Sequence, residues 1–199
     1  MVAAIVLAAG ESGRMGTPKA LLRIGGKSFI RHIVDVLNSS EVEKVVVVLG
    51  ANAEEIKREL AGLDVTVVIN QDYSAGQLSS LVKGIETVEP FSPDGILLHP
   101  VDNPMVSAEV FDALVGKFYE TSCLIALPTF KGKRGHPVLF SAKLFGELKK
   151  APPDMGARSV VWSHAAEVVE VETKDEGIIC DIDTREDYEN LQRNLHSAS

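Results

Sequence analysis

Positions 2–22 read Val2-Ala3-Ala4-Ile5-Val6-Leu7-Ala8-Ala9-Gly10-Glu11-Ser12-Gly13-Arg14-Met15-Gly16-Thr17-Pro18-Lys19-Ala20-Leu21-Leu22. The apolar part predicts a buried strand, and a loop with several glycines follows it directly. Glycines let a backbone approach a ligand closely, so that several N–H groups can surround an anion. Arg14 and Lys19 add the positive charge that a polyphosphate needs. A strand that leads into such a loop is typical of a nucleotide site.

Two better-known phosphate loops do not fit this segment. A Walker loop needs Gly, four residues and then Gly-Lys-Ser/Thr; Gly26-Lys27-Ser28 matches the end, but Leu21 stands at the leading position. The dinucleotide fingerprint needs Gly-x-Gly-x-x-Gly and an acidic residue at the end of the second strand. Here the glycines of the loop are spaced by threes, and the second predicted strand ends at Leu49-Gly50. Both classes are therefore set aside.

Short aliphatic runs alternate with amphipathic segments, which favours a mostly parallel sheet covered by helices. The run from Val45 to Leu49 is apolar at every position and so indicates a strand buried on both faces. Strands are predicted over residues 2–7, 44–49, 65–69, 95–98, 124–128, 137–140 and 167–171, and helices over 28–38, 54–60, 77–87, 107–120, 142–149 and 185–195. Residues 151–156 are predicted as a surface loop. We expect an α/β protein with a three-layer, mostly parallel, twisted sheet in a single domain, 1–199.

The composition argues against several classes of protein. The chain of 199 residues has a net charge of −8 and no basic face, which excludes nucleic acid as a partner but allows a nucleotide, since a few local cations suffice. Cys123 and Cys180 are too far apart to predict a zinc site or a disulfide framework. No basic residue precedes the N-terminal apolar run, and no apolar stretch approaches the length of a membrane span. We expect a cytoplasmic protein that binds no membrane.

Two acidic segments follow predicted strands. Asp102 lies just beyond the fourth strand, where a carboxylate is well placed to hold Mg²⁺, an ion that binds one or two carboxylates together with substrate phosphates. The alternative is that Asp102 caps the following turn. In the segment Asp181-Ile182-Asp183-Thr184-Arg185-Glu186-Asp187, the first two aspartates project to the same face if the backbone is extended. Here the alternative is that Asp183 or Thr184 is the N-cap of the last helix.

Two further polar segments also follow strands, so all of them are expected at the carboxyl edge of the sheet, where open α/β sheets bind ligands. The segment 70–81 contains Ser79 and Ser80, whose hydroxyl groups can contact a base or a phosphate, or can cap the helix. The segment 131–140 contains Lys131, Lys133 and Arg134 before His136. This charged run can meet a phosphate, or it can lie in solvent.

Together these segments resemble, in the same order from residue 7 to residue 187, the motifs of the molybdopterin nucleotidyltransferase family. Positions 7–22 fit that family's Leu-Ala-Ala/Gly-Gly-x-x-x-Arg-Met-Gly and Pro-Lys-x-Leu pattern almost throughout. The discriminating parts are the segments 134–140 and 156–158, which resemble the molybdenum cofactor cytidylyltransferase branch. In that branch Ala9 accompanies CTP, whereas guanylyl enzymes usually carry Gly at this position.

The resemblance implies a Rossmann-like nucleotidyltransferase fold of the nucleotide-diphospho-sugar transferase type. Its nucleotide-binding part would span about residues 1–105 and its acceptor-binding part about residues 106–199. The implied reaction is attack by the terminal phosphate of molybdopterin on the α-phosphorus of CTP, with release of pyrophosphate and with Mg²⁺ as the cofactor. The implied partners are CTP or GTP, molybdopterin and, transiently, a molybdoenzyme or its chaperone.

The resemblance also implies a role for each matching residue. Catalytic roles are carried over to Lys19, Arg14 and Asp102, and metal binding to Asp102 and Asp183. The acceptor-binding residues that it implies are Arg134, His136 and Arg158. The nucleotide-binding residues that it implies are Leu7, Ala8, Ala9, Gly10, Arg14, Met15, Gly16, Lys19, Asn70, Gly76, Ser79 and Ser80.

Two other functions stay open at this point. A related nucleotidyltransferase would use GTP, or would transfer the nucleotide to a sugar phosphate. A protein of another class would be a catalytically silent nucleotide-binding module that regulates or chaperones a molybdoenzyme. Leu78, His99 and Pro153 depart from the family's pattern and keep this second alternative open.

Overall fold

The computed structural model describes residues 1–11 and 15–197. Its strands are β1 (Val2–Ala8), β2 (Arg23–Ile24), β3 (Lys27–Ser28), β4 (Lys44–Leu49), β5 (Thr66–Ile69), β6 (Gly95–Pro100), β7 (Ile125–Phe130), β8 (Lys133–Arg134), β9 (Val138–Ser141) and β10 (Val168–Glu172). Its α-helices are α1 (Phe29–Asn38), α2 (Ala53–Glu59), α3 (Gln77–Val88), α4 (Ala108–Thr121), α5 (Phe145–Leu148), α6 (Ala157–Ser163) and α7 (Arg185–Ser197). In this part of the chain, no helix is both long and apolar enough to span a membrane.

Within the described residues, one sheet runs in the order β10-β7-β9-β6-β1-β4-β5, and β8 pairs with β7 at its side. The central strand β1 is parallel to β4 and to β6. The outer pairs β4–β5 and β7–β10 are parallel as well. Only β9 is inserted in the opposite direction along this path, between β6 and β7. The prediction of a mostly parallel sheet is therefore confirmed.

Both faces of the sheet are covered, which gives the three layers that the sequence predicts. Alternate residues of β1 point to opposite faces, as the strand geometry requires. Val2, Ala4 and Val6 pack in a cluster with α1 and α4, whereas Ala3 and Ile5 pack with α3 and α5. All seven residues of β1 are buried, so the strand is the centre of the core.

The structure adds elements that the sequence analysis did not predict. Residues 157–163 form α6, directly after the predicted loop 151–156. The strands β2 and β3 form an antiparallel hairpin in place of an irregular connection. Its two-residue turn is Gly25-Gly26, and both residues have positive φ values, 54° and 85°. A Gly-Gly pair of this kind is a recognised hairpin signal.

The loops that follow β1, β4 and β6 are joined at the carboxyl edge of the sheet. The N–H of Val101, after β6, donates a hydrogen bond to the carbonyl of Leu7 (3.1 Å), and the N–H of Ala51, after β4, donates to the carbonyl of Ala9 (3.2 Å). The N–H of Asn70, after β5, donates to the carbonyl of Leu49 (2.7 Å). These backbone bonds hold the loops that follow four strands together at one edge of the sheet.

Candidate active site

Three distant segments meet at the side chain of Lys19. Its Nζ atom lies 2.5 Å from Oδ1 of Asp183 and 3.3 Å from Oδ2 of Asp102. Lys19 lies in the loop after β1, Asp102 in the turn after β6, and Asp183 two residues before α7. The structure therefore brings together the cation and the two carboxylates that the motifs single out.

The turn after β6 fixes Asp102 beside the second acidic segment. The carbonyl of Asp102 accepts a hydrogen bond from the N–H of Ile182 (2.9 Å), so the two segments are joined through the backbone as well. Burial raises the pKa of the Asp102 carboxyl, and the charge and hydrogen bond of Lys19 act in the opposite direction. The Asp102 carboxylate accepts a hydrogen bond from Lys19. Within the described residues it accepts none from the following turn, so the capping alternative is not supported.

The start of α7 orients Asp183 without using its side chain. The hydroxyl of Thr184 and the carboxylate of Asp187 bond reciprocally: Asp187 accepts from the Thr184 N–H (2.7 Å), and the Asp187 N–H donates to Thr184 Oγ1 (3.2 Å). Asp187 also accepts from the N–H of Asp183 (3.1 Å). This is a capping-box arrangement with Asp at the N3 position. Of the two capping alternatives, the structure therefore supports Thr184, and the Asp183 carboxylate faces Lys19.

These charged groups line a cavity of about 380 Å³ at the end of β1. Most of the motif residues assigned to the nucleotide line it too, whereas Gly16 lies in the same loop outside the wall, with a φ of 67° that suits glycine. Arg14 lies outside the described residues. The predicted residues that line this cavity are Leu7, Ala8, Ala9, Gly10, Met15, Lys19, Gly76, Ser80, Asp102 and Asp183.

Asn70 and Ser79 line a different surface depression. The buried Asn70 amide donates to Oγ of Ser79 (2.9 Å) and to Oγ of Ser80 (3.0 Å). The Ser79 hydroxyl lies 2.9 Å from the carbonyl of Asp72 and 2.8 Å from that of Gly76. These bonds hold the loop before α3 in shape, and Ser80 alone of the three borders the cavity of Lys19.

Tyr73 and Gln77 border the cavity of Lys19 without having been singled out from the sequence. Tyr73 packs where β4 ends: a Cβ added to Gly50 would lie 2.6 Å from the Tyr73 side chain and 2.7 Å from the carbonyl of Ala9. Glycine at position 50 therefore lets the tyrosine and the β1 loop approach each other. The sequence carries a signal for this close approach, since a glycine, Gly50, directly follows the last residue of the apolar strand, Leu49.

A second cavity, of about 670 Å³, adjoins the first one. Gln77 and Pro100 border both cavities, so the two spaces meet at these side chains. The three residues assigned to the acceptor, Arg134, His136 and Arg158, all line the larger cavity. Asp181 lines it as well, whereas Asp183 lines the smaller one. The two aspartates thus face adjoining spaces.

The polar side chains of the larger cavity differ in how they are held. Arg134 donates through Nε to Glu170 (2.7 Å). Within the described residues, no hydrogen bond or ion pair holds the exposed Arg158. Burial lowers the pKa of His136; Arg158 acts in the same direction, and Asp181 and Asp102 oppose it. The cavity therefore presents a neutral imidazole beside an available guanidinium.

The walls of this region depend on two close backbone approaches. The N–H of His136 donates to the carbonyl of Ile178 (2.9 Å), and the N–H of Gly135 donates to the carbonyl of Pro128 (3.0 Å). A Cβ on Gly135 would overlap the backbone of Ile178. Glycine at position 135 therefore lets the loop before β9 lie against the turn at residues 176–179.

A family model described as a MobA-like NTP transferase domain matches residues 4–168. The chain belongs to this family. Over 199 residues it is 31% identical to the purine catabolism protein PucB of Bacillus subtilis, with 95% of each protein covered. Over 205 residues it is 30% identical to a probable molybdenum cofactor guanylyltransferase of Bacillus cereus, with 97% of this chain and 96% of the relative covered.

A solved structure, the complex of Rv0371C from Mycobacterium tuberculosis with manganese, is similar over 96% of this chain and 98% of that chain. The sequence identity is 27% and the TM-score 0.81. The family membership and this likeness confirm the expected fold, and they identify the chain as a nucleotidyltransferase of the MobA-like family.

Proposed function

We propose that this nucleotidyltransferase transfers CMP from CTP to the terminal phosphate of molybdopterin and releases pyrophosphate. The observation that carries the proposal is the convergence of Lys19, Asp102 and Asp183 in a cavity that adjoins a second one. A transfer between two phosphorylated molecules needs adjoining sites for both, since orientation and charge neutralisation account for most of the catalysis.

The loop after β1 would bind the triphosphate. The flexible side chain of Lys19 can carry its ammonium group from the two carboxylates to the β- and γ-phosphates. The family motif implies that Arg14 binds the same phosphates. The backbone from Ala8 to Gly10, together with Ser80, would contact the base. Asn70 and Ser79 support this contact indirectly, because their hydrogen bonds fix the loop that carries Gly76 and Ser80.

Asp102 and Asp183 have the chemistry of a Mg²⁺ site. Both carboxylates contact one cationic group, the Lys19 ammonium, so this position favours positive charge. In the described part of the chain no cluster of three or more His, Cys, Asp and Glu side chains could hold a metal. Two carboxylates suit an ion that completes its shell with phosphates and water. When bound there, Mg²⁺ supplies charge that neutralises the triphosphate during in-line displacement.

The acceptor would occupy the larger cavity. Arg134, His136 and Arg158 orient its terminal phosphate, and the low pKa of His136 makes the imidazole a neutral hydrogen-bonding group there. An oxygen of this phosphate forms the new bond to the α-phosphorus of CTP. The bond between that phosphorus and the bridging oxygen breaks, and its electron pair leaves with pyrophosphate.

The choice of CTP over GTP is supported by Ala9, which lines the smaller cavity. GTP is the competing substrate, because the Bacillus cereus relative is named a guanylyltransferase. We expect the wild-type chain to use CTP with a kcat/KM at least ~10-fold above that for GTP, since polar contacts discriminate strongly between base edges. Ala9→Gly should reduce this ratio. A preference for GTP in the wild type would overturn the choice of base.

The proposed function is tested by measuring pyrophosphate release from CTP or GTP with Mg²⁺ and with molybdopterin released from a molybdoenzyme. Asp102→Asn should lower kcat by ~100-fold or more, because it removes a charge from the transition-state environment. Asp35→Asn is the matched control, since Asp35 pairs with Lys27 outside both cavities (2.6 Å). Nucleotide binding without turnover would favour the silent module, and turnover with a sugar 1-phosphate alone would exclude molybdopterin.

A further inference from the structure

Trp162 is an exposed indole on the wall of the larger cavity. It is the single tryptophan of the chain, and 60% of its surface is exposed. Tryptophan offers a large flat apolar ring and is enriched where proteins bind partners, so its place on a cavity wall points to a ligand contact.

Other exposed rings of the described chain already have partners. Nζ of Lys44 lies 4.0 Å from the centre of the Phe91 ring. Tyr119 donates a hydrogen bond to Asp94 (3.0 Å) and packs edge-on against Phe118. For Trp162, no hydrogen bond or ring contact is found within residues 1–11 and 15–197. Its exposure therefore differs from that of the other aromatic side chains.

The position of Trp162 on α6 places it next to a cation. Arg158 and Trp162 are four residues apart on this helix, so their side chains are neighbours on one face. Both line the larger cavity. Arg158 acts on the pKa of His136, so the guanidinium lies within electrostatic reach of this histidine on the cavity wall. One helix face thus offers a binding group for a phosphate and a flat apolar surface beside it.

The remainder of the cavity fits a ring system better than a phosphate alone. Its volume of about 670 Å³ is in the range of pockets that enclose multi-ring ligands. Its apolar lining includes Leu98, Val138 and Phe140. Stacking on an indole is available to any flat π-system.

We propose that Trp162 is the stacking platform for a fused heteroaromatic ring of the acceptor, with Arg158 binding the phosphate of the same molecule. In the proposed reaction this ring is the pterin of molybdopterin, so the inference rests on the proposed function. This inference deepens the proposed function, because it assigns a specificity-determining residue to the acceptor side of that reaction.

The direct test is intrinsic fluorescence with selective excitation of tryptophan, because the full chain contains this one tryptophan. The probes are 6-hydroxymethylpterin monophosphate, glucose 1-phosphate and inorganic phosphate, with N-acetyltryptophanamide as the correction for absorption by the pterin. We expect saturable quenching by the pterin monophosphate alone. Equal quenching by glucose 1-phosphate or by inorganic phosphate would overturn the assignment to a heteroaromatic ring.

Substitution tests the same platform through the reaction. Trp162→Leu should raise the KM for molybdopterin by ~10-fold or more and leave kcat and the KM for CTP within about twofold, since stacking acts on acceptor binding. Trp162→Phe, which keeps a ring, should restore part of the loss. Exposure of the side chain makes both variants compatible with folding. An unchanged KM for molybdopterin in Trp162→Leu would overturn the platform.

The two proposals fail in different ways. If the wild type transfers CMP to molybdopterin and Trp162→Leu has the same KM, the platform is wrong and the reaction stands. If the pterin monophosphate quenches the wild type and its binding, measured by calorimetry, is lost in Trp162→Leu, while no nucleotide is transferred, the platform stands and the reaction is wrong.

Discussion

Lys19 contacts both carboxylates of the site in the same conformation. Its side chain is only 14% exposed, so the ammonium group replaces part of its lost hydration with these two anions. A divalent cation that binds Asp102 and Asp183 has to compete with this ammonium. Phosphates that draw Lys19 away would therefore favour metal binding.

Lys19→Met should separate these two roles. We expect the affinity for Mn²⁺, measured by electron paramagnetic resonance without nucleotide, to rise several-fold because the competing charge is gone. Turnover should fall by ~100-fold or more, because the departing phosphates lose their counter-charge. The control is Lys27→Met, whose Nζ pairs with Asp35 at the surface. Equal Mn²⁺ affinity in the wild type and in Lys19→Met would contradict this account.

His99 is buried next to the site and stays uncharged. Its ring packs edge-on against Phe111 at 5.3 Å between centroids. Burial lowers the pKa of His99 from 6.5 to about 3. The unfolded chain binds a proton at this residue below pH 6.5 while the folded chain does not, so stability is lost as the pH falls from 6.5 toward 3.

His99→Leu should make the protein less sensitive to acid. At pH 5 the buried histidine costs on the order of 2 kcal/mol relative to neutral pH, which corresponds to several degrees in the melting temperature. The decrease in melting temperature between pH 7 and pH 5 should therefore be smaller in His99→Leu than in the wild type. His164→Gln is the comparison of opposite sign: Glu167 and Glu147 raise the pKa of that partly buried histidine, so its loss should not make the decrease smaller. Equal decreases in the wild type and in His99→Leu would contradict the prediction.

At the scale of elements, the N-terminus of α7 connects helix stability to the site. Thr184 and Asp187 bond reciprocally at this end, and the next residue toward the N-terminus is Asp183. Loosening the first turn of α7 would therefore free the backbone that aims the Asp183 carboxylate at Lys19.

Thr184→Val tests this connection. Loss of a helix cap costs about 1 kcal/mol, which should lower the melting temperature by about 2–4 °C. The affinity for Mn²⁺ in the presence of CTP should fall as well, because Asp183 loses its fixed direction. In the control, Thr121→Val, the lost hydroxyl bonds only within α4, to Lys117. If Thr184→Val binds Mn²⁺ as tightly as Thr121→Val does, the cap does not support the site.

The sequence predicts the long elements better than the short or inserted ones. β1 and residues 45–49 of β4 are apolar at every position, and burial on both faces explains why these continuous runs indicated strands. A strand that is apolar on both faces carries no pattern that shows its direction in the sheet. The antiparallel direction of β9 is therefore known only from its pairing with β6 and β7. The helix α6 has seven residues and one buried side chain, Val160, which is too few for a helical pattern to be recognised.

At the scale of the whole molecule, the two cavities depend on different glycines. Gly50 lets Tyr73 approach the end of β1 beside the smaller cavity, and Gly135 lets its loop approach Ile178 beside the larger one. A methyl group at either position would collide mostly with backbone or with a tyrosine Cβ, and such atoms cannot move aside easily.

Gly50→Ala and Gly135→Ala should therefore each impair a different substrate. We expect Gly50→Ala to weaken CTP binding, measured by calorimetry, by ~10-fold or more, and Gly135→Ala to raise the KM for the acceptor by a similar factor, as misplacements of about 1 Å do. Gly116→Ala is the control, because no atom lies within 4 Å of an added Cβ there. If each variant impairs both substrates equally, the cavities are not separate sites.

The motifs predicted the charged centre of the site because loops at one sheet edge converge. Asp102 and Asp183 are 81 positions apart in sequence, yet both reach Lys19. The contributions of Tyr73, Gln77 and Trp162 were missed, since each depends on how a loop or a short helix packs against the sheet. The side-chain bonds of Asn70 and Ser79 were missed for the same reason.

Gln77 and Pro100 border both cavities, so a reaction product made of nucleotide and acceptor would span them. Such a dinucleotide would be held at both ends, and release of one end would leave the other bound at high effective concentration. Its departure would then be slower than bond formation. We expect a burst of the first turnover in rapid-quench measurements, followed by a slower steady rate.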